Sequence, residues 1–472
     1  MKTYFLGIAG AGVSALASIL KSQGHEVTGS DEGVFAPIST YLDDIGIKYS
    51  DHFDAANVPD GVELAIIGTT AKINPETNPE YIEIIKRGIP HYNFATYLAK
   101  ATEKRDNLIV AGSFGKSSLT ALITHILLNA GRCPGWFIGA IAKNLDRTGN
   151  WGSDNEFIME GDEYVISLDD RRSKFELYTP KDILLSSIVH DHINMFPTMA
   201  EYEERFAKLV RNLPSDGYIF AAKKYEPIRR IIKENGKQAQ TIYYDLDECD
   251  GFYAKDIKTG EVSTFTLVTP QKVEIKLSTH QLGLHNIENA IAAAAYCLTK
   301  KLVTPEQLQD GIANFAGVTR RLDKKTTTST VPVYEGFGSS FEKAHSAIDA
   351  IKLHFPNKKC IVIFEPHTFS WRNRDSLHWY DTVFKGVDEV YLLPPPTHGA
   401  ANHSQSSHEE IFERTQNAGV KTIKINDAKD CLEKIIPALN GDEVILLLSS
   451  GPLFGLPSSL PSKLDELFSQ TN

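Results

Sequence analysis

The residues able to do chemistry lie in short polar clusters that follow apolar runs. The clearest is Val110-Ala-Gly112-Ser113-Phe114-Gly115-Lys116-Ser117-Ser118, with an apolar strand before it and helical spacing after it. In such a loop, backbone N–H groups wrap phosphates and the lysine ammonium reaches their outer oxygens. The Ser117 hydroxyl is a candidate Mg²⁺ ligand. The spacing departs from the usual phosphate loop, since Val110 stands five residues before Gly115. The plain alternative is a Gly-Lys-Ser in a solvated turn. A second loop, Gly7-Ile-Ala-Gly10-Ala11-Gly12-Val-Ser-Ala15, also joins a strand to a helix, and Asp31 closes the next strand. Glycines there let a phosphate approach the helix N-terminus. By itself this loop suits NAD, another nucleotide, a nucleotide-sugar or a bare turn. The acidic turn Glu160-Gly-Asp-Glu-Tyr164 follows the apolar run Phe157–Met159 and places carboxylates where a Mg²⁺ ligand would sit. His190-Asp191-His192 follows Ile183–Val189 and is a weak metal pattern. Solvated acidic and histidine turns are the plain alternatives for both.

These clusters need a scaffold of alternating strands and helices, the pattern of α/β domains with parallel sheets. Strands are expected at Thr3–Ile8, Glu26–Thr28, Leu108–Ala111, Cys360–Phe364, Glu389–Leu393, Lys421–Ile425 and Glu443–Leu448, with a helix over Val13–Gln23. Polar segments at 101–107 and 318–325 read as linkers. Three domains follow, 1–105, 106–318 and 319–472, and no internal repeat is seen. A length of 472 residues suits roughly three domains of about 150 each.

With Lys+Arg at 49 against Asp+Glu at 60, the net charge is -11, which argues against a general nucleic-acid binder. No apolar run has transmembrane length, and the glycine-rich N-terminus suits a strand–turn–helix better than a signal peptide. The five cysteines are far apart and form no CxxC pair, which points to a reducing, cytoplasmic setting. The expected partners are small molecules, with neither nucleic acid nor membrane, for a monomer or homodimer.

Taken together, these motifs resemble the Mur ligase family, ATP-dependent enzymes that join a carboxylate to an amine. Gly112–Ser118 resembles the family's Gly-Thr-X-Gly-Lys-Thr-Thr, and Glu160-Gly-Asp-Glu is similar to its Glu-Ala-Asp-Glu. Gly283-Leu-His285-Asn286-Ile-Glu-Asn289-Ala resembles its adenine-side helix, and Arg320-Arg321-Leu-Asp its interdomain Arg-Arg-hydrophobic-Glu. The resemblance implies a Rossmann-like first domain, a central phosphate-loop ATPase-like domain with a mostly parallel sheet, and a Rossmann-like third domain. It also implies ATP and Mg²⁺ as cofactors. Lys116, Glu160, His192 and Arg321 would be catalytic, with Ser117, Glu160 and His192 on the metal. Gly112, Ser113, Gly115, Ser117, Ser118, His285, Asn286, Asn289 and Arg321 would hold ATP beside Lys116. Gly10, Ala11, Gly12, Ser30, Asp31, Asn78 and Glu80 would hold a UDP-sugar.

Two branches of the family use UDP-N-acetylmuramate. One adds L-alanine in peptidoglycan synthesis; the other attaches L-Ala-γ-D-Glu-meso-diaminopimelate in recycling. Val34–Thr40, Pro134–Gly139, Asp170–Phe175 and Ser449–Gly455 resemble the recycling branch, so the tripeptide is the expected amine. Arg171, Arg172 and Lys174 would bind its carboxylates, or form an exposed charged turn, with His367 as a further acceptor contact. Phe364-Glu-Pro-His367-Thr-Phe-Ser370 resembles the alanine branch instead. The family's Asp-Asp-aromatic-X-His-His-Pro is replaced by Glu335-Gly-Phe-Gly-Ser339-Ser340-Phe341, and its phosphate-loop histidine by Phe114. Those departures motivate a divergent subgroup with another amine, or a non-catalytic relative. A nicotinamide oxidoreductase would leave Lys116, Glu160 and Arg321 without a purpose.

Overall fold

The computed structural model describes residues 1–70, 72–167, 170–192, 195–236, 239–396 and 404–469. It is a mixed α/β protein built on mostly parallel sheets. The chain divides into two compact units. One comprises Met1–Ile257, Thr264–Thr279 and Ile287–Val318, and the other Lys258–Ser263, His280–Asn286 and Thr319–Asn472.

In the first unit, five parallel strands lie in the order Lys48–Ser50, Glu26–Ser30, Lys2–Leu6, Leu64–Ile67, His91–Asn93. Successive residues of Lys2–Leu6 serve opposite faces: Phe5 packs with Leu16 and Leu20, Tyr4 and Leu6 with Ile84. A ten-stranded sheet places Asp106–Ala111 between Asp182–Leu185 and Glu156–Gly161. Leu108, Ile109, Val110 and Ala111 are all buried, as expected of a central parallel strand covered on both faces. The run Ile183–Val189 makes a shorter strand than its composition suggests, Asp182–Leu185. Just beyond it, Ser186 Oγ donates to Phe114 O and Ser187 Oγ accepts from Phe114 N.

In the second unit, six strands lie in the order Arg321–Lys324, Val333–Gly336, Glu443–Leu448, Lys359–Phe364, Glu389–Leu392, Lys421–Lys424. The segment expected as a linker at 318–325 therefore contains an antiparallel edge strand, irregular between Arg321 and Asp323. The charged residues there mark an exposed strand edge rather than a free connector. Arg320 and Leu322, with φ of 62° and 52°, put two left-handed residues around Arg321. No helix among the described residues is long and apolar enough to cross a membrane.

Candidate active site

The phosphate loop lies at the carboxyl end of Asp106–Ala111 and opens the helix Lys116–Asn129. Its two glycines are required. Gly112 has φ +145° and Gly115 φ +83°, and a Cβ on Gly112 would lie 2.3 Å from Ser186 Oγ. The remaining loop residues are wired in place. Ser113 Oγ donates to Val189 O at 2.7 Å and shares a 2.9 Å hydrogen bond with Tyr202 OH, while Phe114 N donates to Ser187 Oγ at 2.9 Å.

Register does the rest. Glu160 is paired with Val110 across the neighbouring strand, so its carboxylate lies at the same sheet end as the loop. Ser117 Oγ donates to Glu160 Oε1 at 2.6 Å, and Gly139 N donates to Oε2 at 2.7 Å. Lys116 Nζ bonds Gly112 O at 2.6 Å and lies 2.8 Å from Glu163 Oε2. Burial pulls the Lys116 ammonium down in pKa, but Glu163 outweighs it and holds Lys116 above its ordinary value. His192, held at φ 53°, places Nε2 3.4 Å from Glu163 Oε1, and this hydrogen bond raises its pKa despite burial. Tyr202 OH donates to the same oxygen at 3.4 Å, and burial drives its own pKa upward. Glu163 and Tyr202 were not among the expected site residues. Glu163 stood within a motif already singled out, whereas nothing near Tyr202 in sequence marks it.

The donor set fits Mg²⁺ in one way. A hydroxyl and a carboxylate adjoin at Ser117 and Glu160, and Mg²⁺ ordinarily takes one or two carboxylates, with waters and substrate phosphates completing its shell. No group of three His, Cys, Asp or Glu suited to a metal occurs among the described residues. The His192 Nε2 is directed to Glu163 at 3.4 Å.

Asn289 lies beside the loop, its Oδ1 3.2 Å from where a Cβ on Gly115 would be. It shares the helix Leu284–Thr299 with His285 and Asn286, and Asn286 Nδ2 donates to Leu282 O at 2.8 Å. Ser118 sits in the first turn of Lys116–Asn129. Arg321 is exposed at the start of its strand. Its neighbour Arg320 is committed elsewhere: Nε lies 3.1 Å from Glu335 Oε1, and the guanidinium donates to Ser449 O and Gly451 O.

At the other glycine loop, Gly10 and Ala11 are exposed, and Gly10 precedes the helix Ala11–Ser22. Gly12 has no room for a side chain, since a Cβ would lie 2.7 Å from the Phe94 ring. Asp31 accepts from Ala9 N at 3.0 Å and braces the loop. Three residues expected to touch a UDP-sugar are buried instead. Glu80, 0% exposed, accepts from Tyr4 OH, Ser30 Oγ, Asp54 N and Asn57 Nδ2. Asn78 is likewise buried and caps the helix Pro79–Lys86 through Glu80 N and Tyr81 N. The Glu80 carboxylate thus has each of its two oxygens engaged by two donors within the protein.

The expected acceptor cluster is not gathered either. Arg172 grips Asp170 through Nε and NH2, Arg171 donates to Met195 O at 3.1 Å, and Lys174 pairs with Asp162 at 2.6 Å. Asp162 titrates below the usual carboxylate range because Lys174 overcomes the effect of burial. Of these contacts, the one from Lys174 braces the Glu160–Tyr164 turn through Asp162. His367 lies against Glu365, Nδ1 to Oε1 at 3.5 Å.

A phosphate loop, a strand-end carboxylate and parallel α/β sheets define a nucleoside-triphosphate-using enzyme. Residues 110–297 match the Mur ligase middle domain, and residues 2–105 match the Mur ligase family, catalytic domain. The chain belongs to the Mur ligase family, whose members are ATP-dependent amide-forming ligases. It is 26% identical over 463 residues to the UDP-N-acetylmuramate–L-alanine ligase of Lachnospira eligens, covering 97% of each chain. It is 28% identical over 401 residues to the UDP-N-acetylmuramate–L-alanyl-γ-D-glutamyl-meso-2,6-diaminoheptandioate ligase of Escherichia coli, covering 84% of this chain and 85% of that one. In fold it is similar to the UDP-N-acetylmuramate-alanine ligase of Thermotoga maritima, with TM-score 0.80, 19% identity and 99% of both chains covered.

Proposed function

We propose that the protein joins an amino-acid or short-peptide amine to the lactyl carboxylate of UDP-N-acetylmuramate. ATP would activate that carboxylate as an acyl phosphate. The observation that supports this best is the meeting of Lys116, Ser117, Glu160 and Glu163 at one sheet end. A carboxylate resists attack by an amine because its charge repels nucleophiles and oxide leaves poorly. Transfer of the γ-phosphoryl group supplies a leaving group. The amine then attacks the acyl carbon and phosphate departs.

Two anions must meet in the first step, so cations are required. Lys116 would supply one at the outer phosphate oxygens, and Arg321 another. Bound Mg²⁺, held by Ser117 and Glu160, would neutralise phosphate charge. The backbone N–H groups of Gly112–Ser118 would orient the triphosphate, with Asn289 beside the loop and His285 and Asn286 on the same helix toward adenine. The Gly10–Gly12 helix terminus would take the diphosphate of the nucleotide-sugar. With the division 1–105, 106–318 and 319–472, the first domain would take the nucleotide-sugar and the second ATP, in a cytoplasmic enzyme. The tripeptide of the recycling relatives and the L-alanine of the biosynthetic ones are equally supported as amines.

The test measures phosphate release from ATP with Mg²⁺ and UDP-N-acetylmuramate, offering L-alanine, dipeptide and tripeptide in turn, with product masses. Hydroxylamine serves as an amine-independent trap for the acyl phosphate. Hydroxamate that requires both ATP and the acid is the expected result. ATP cleavage indifferent to UDP-N-acetylmuramate would sink the reading.

A further inference from the structure

Lys116 is engaged before any phosphate reaches it. Its Nζ donates to Gly112 O at 2.6 Å and to Glu163 Oε1 at 3.0 Å, and Oε2 of the same carboxylate lies 2.8 Å away. A phosphate oxygen approaching that ammonium competes with Glu163 for it. Glu163 cannot simply be left behind. Its side chain is 1% exposed, so water has little access to replace the lysine, and a buried carboxylate without a partner is costly. For Lys116 to turn to a triphosphate, another donor must meet Glu163.

Two side chains stand at Glu163 Oε1. His192 Nε2 and Tyr202 OH each lie 3.4 Å from it. His192 is 34% exposed, so solvent can substitute for it. Tyr202 is fully buried, so its donor has no such substitute.

The aim of the phenol is set by its own element. The helix Met199–Arg211 opens with a capping box between Thr198 and Glu201, and Tyr202 follows directly. The rings of Phe196 and Phe206, with centres 5.7 Å and 5.2 Å away, hold the Tyr202 ring. Its hydroxyl therefore lies between two acceptors, Ser113 Oγ at 2.9 Å and Glu163 Oε1 at 3.4 Å, with one proton for both. Ser113 depends on that proton least, because its Oγ donates to Val189 O at 2.7 Å and accepts from Val189 N at 2.8 Å. While Lys116 neutralises Glu163, the nearer oxygen takes the phenol proton. Rotation about one C–O bond turns it to Glu163, with neither ring nor helix displaced.

We infer that Tyr202 sets how tightly the phosphate loop holds ATP, by donating to Glu163 when Lys116 turns to the phosphates. Tyr202 is a positioning residue, since it acts through Glu163 and Lys116. The exchange moves no charge off either group: the ammonium passes from carboxylate to phosphate, and the phenol keeps its proton. This rests on the ATP-using reading above and adds to it a residue that no phosphate-loop motif contains.

The experiment is calorimetric titration with the non-hydrolysable β,γ-imido analogue of ATP and Mg²⁺. Tyr202→Phe keeps the ring packing and removes only the hydroxyl, and circular dichroism checks its fold. Its Kd for the analogue should rise about tenfold, the scale of one hydrogen bond to a charged group. KM for ATP should rise in parallel while KM for UDP-N-acetylmuramate stays within twofold. In a Glu163→Gln background, where no buried charge awaits the phenol, Tyr202→Phe should change Kd less than twofold. An unchanged Kd in Tyr202→Phe overturns the inference. So does a tenfold loss that persists beside Glu163→Gln, which would put the effect on Ser113 and the loop alone. In both cases the ATP-using reading stands. If the unaltered protein does not bind the analogue, that reading falls and the inference with it.

Discussion

Lys116 Nζ lies 2.8 Å from Glu163 Oε2, and that carboxylate is 1% exposed. The same carboxylate meets His192 and Tyr202, so one buried acid orders the phosphate-loop lysine, a histidine and a phenol. Removing it leaves an ammonium in a poorly solvated place. Breaking a buried pair from one side costs about 3–5 kcal/mol. Glu163→Ala should therefore lower the melting temperature by several degrees. The double variant Glu163→Ala with Lys116→Met should recover part of that loss, because the stranded charge goes too. A double variant less stable than the sum of the single changes would contradict the pairing.

Lys116 has a second expected duty, at the outer phosphate oxygens. Lys116→Met should reduce acyl-phosphate formation by at least about 10³-fold, the scale lost with a group that stabilises developing charge. UDP-N-acetylmuramate binding, followed by calorimetry, should be unchanged, since the other glycine loop lies on a different sheet. Activity close to that of the unaltered protein would mean that the loop does not cradle ATP.

Ser117 Oγ and Glu160 Oε1 are 2.6 Å apart and make the expected Mg²⁺ seat. Chelation by EDTA should abolish hydroxamate formation, and added Mg²⁺ should restore it. Glu160→Ala should raise the Mg²⁺ concentration for half-maximal rate about tenfold or more. An unshifted Mg²⁺ curve would place the metal elsewhere.

His354 predicts a pH dependence of stability. Its Nε2 accepts from Gly283 N at 2.7 Å and its Nδ1 faces Gly260 O at 2.7 Å, which fixes a neutral ring protonated on Nδ1. Burial lowers its pKa below the ordinary value near 6.5. The unfolded chain thus takes up this proton before the folded one does. The contribution of His354 to stability is complete above the unfolded pKa and declines as pH falls from there through the folded pKa. Urea midpoints at pH 7.5 and 5.5 should differ more for the natural protein than for His354→Asn. Equal differences would show that another group carries the acid sensitivity. Gly283 opens the segment leading to His285, Asn286 and Asn289, so acid should loosen this stretch first.

Much of the site was legible because phosphate chemistry constrains backbone as well as side chains. Gly112 and Gly115 can be replaced by almost nothing at their φ angles, and Lys116 and Ser117 must follow on the helix. Such local demands leave a contiguous trace. Glu160 was readable for a similar reason, as a carboxylate just past an apolar run. Other candidate residues have polar groups engaged within the protein, which sequence does not show. Ser30, Asn78 and Glu80 carry ligand-like groups, yet a buried carboxylate with donors from Tyr4, Ser30, Asp54 and Asn57 is spent. Arg172 and Lys174 look like free cations in sequence, yet each has an acid within reach in space.

The sequence by itself determined the alternation of strands and helices, the two glycine loops and the family. Each is written in neighbouring residues through periodicity, φ requirements and motif order. Tertiary structure alone decided which polar groups are used up and which are presented. Glu163 reaches Lys116 across 47 positions, and Glu365 reaches Leu453 across 88. Only strand register brings Gly336, Leu448 and Phe364 level. Whether a charge or ring is available depends on what packs beside it, and sheet pairing over long separations sets those neighbours.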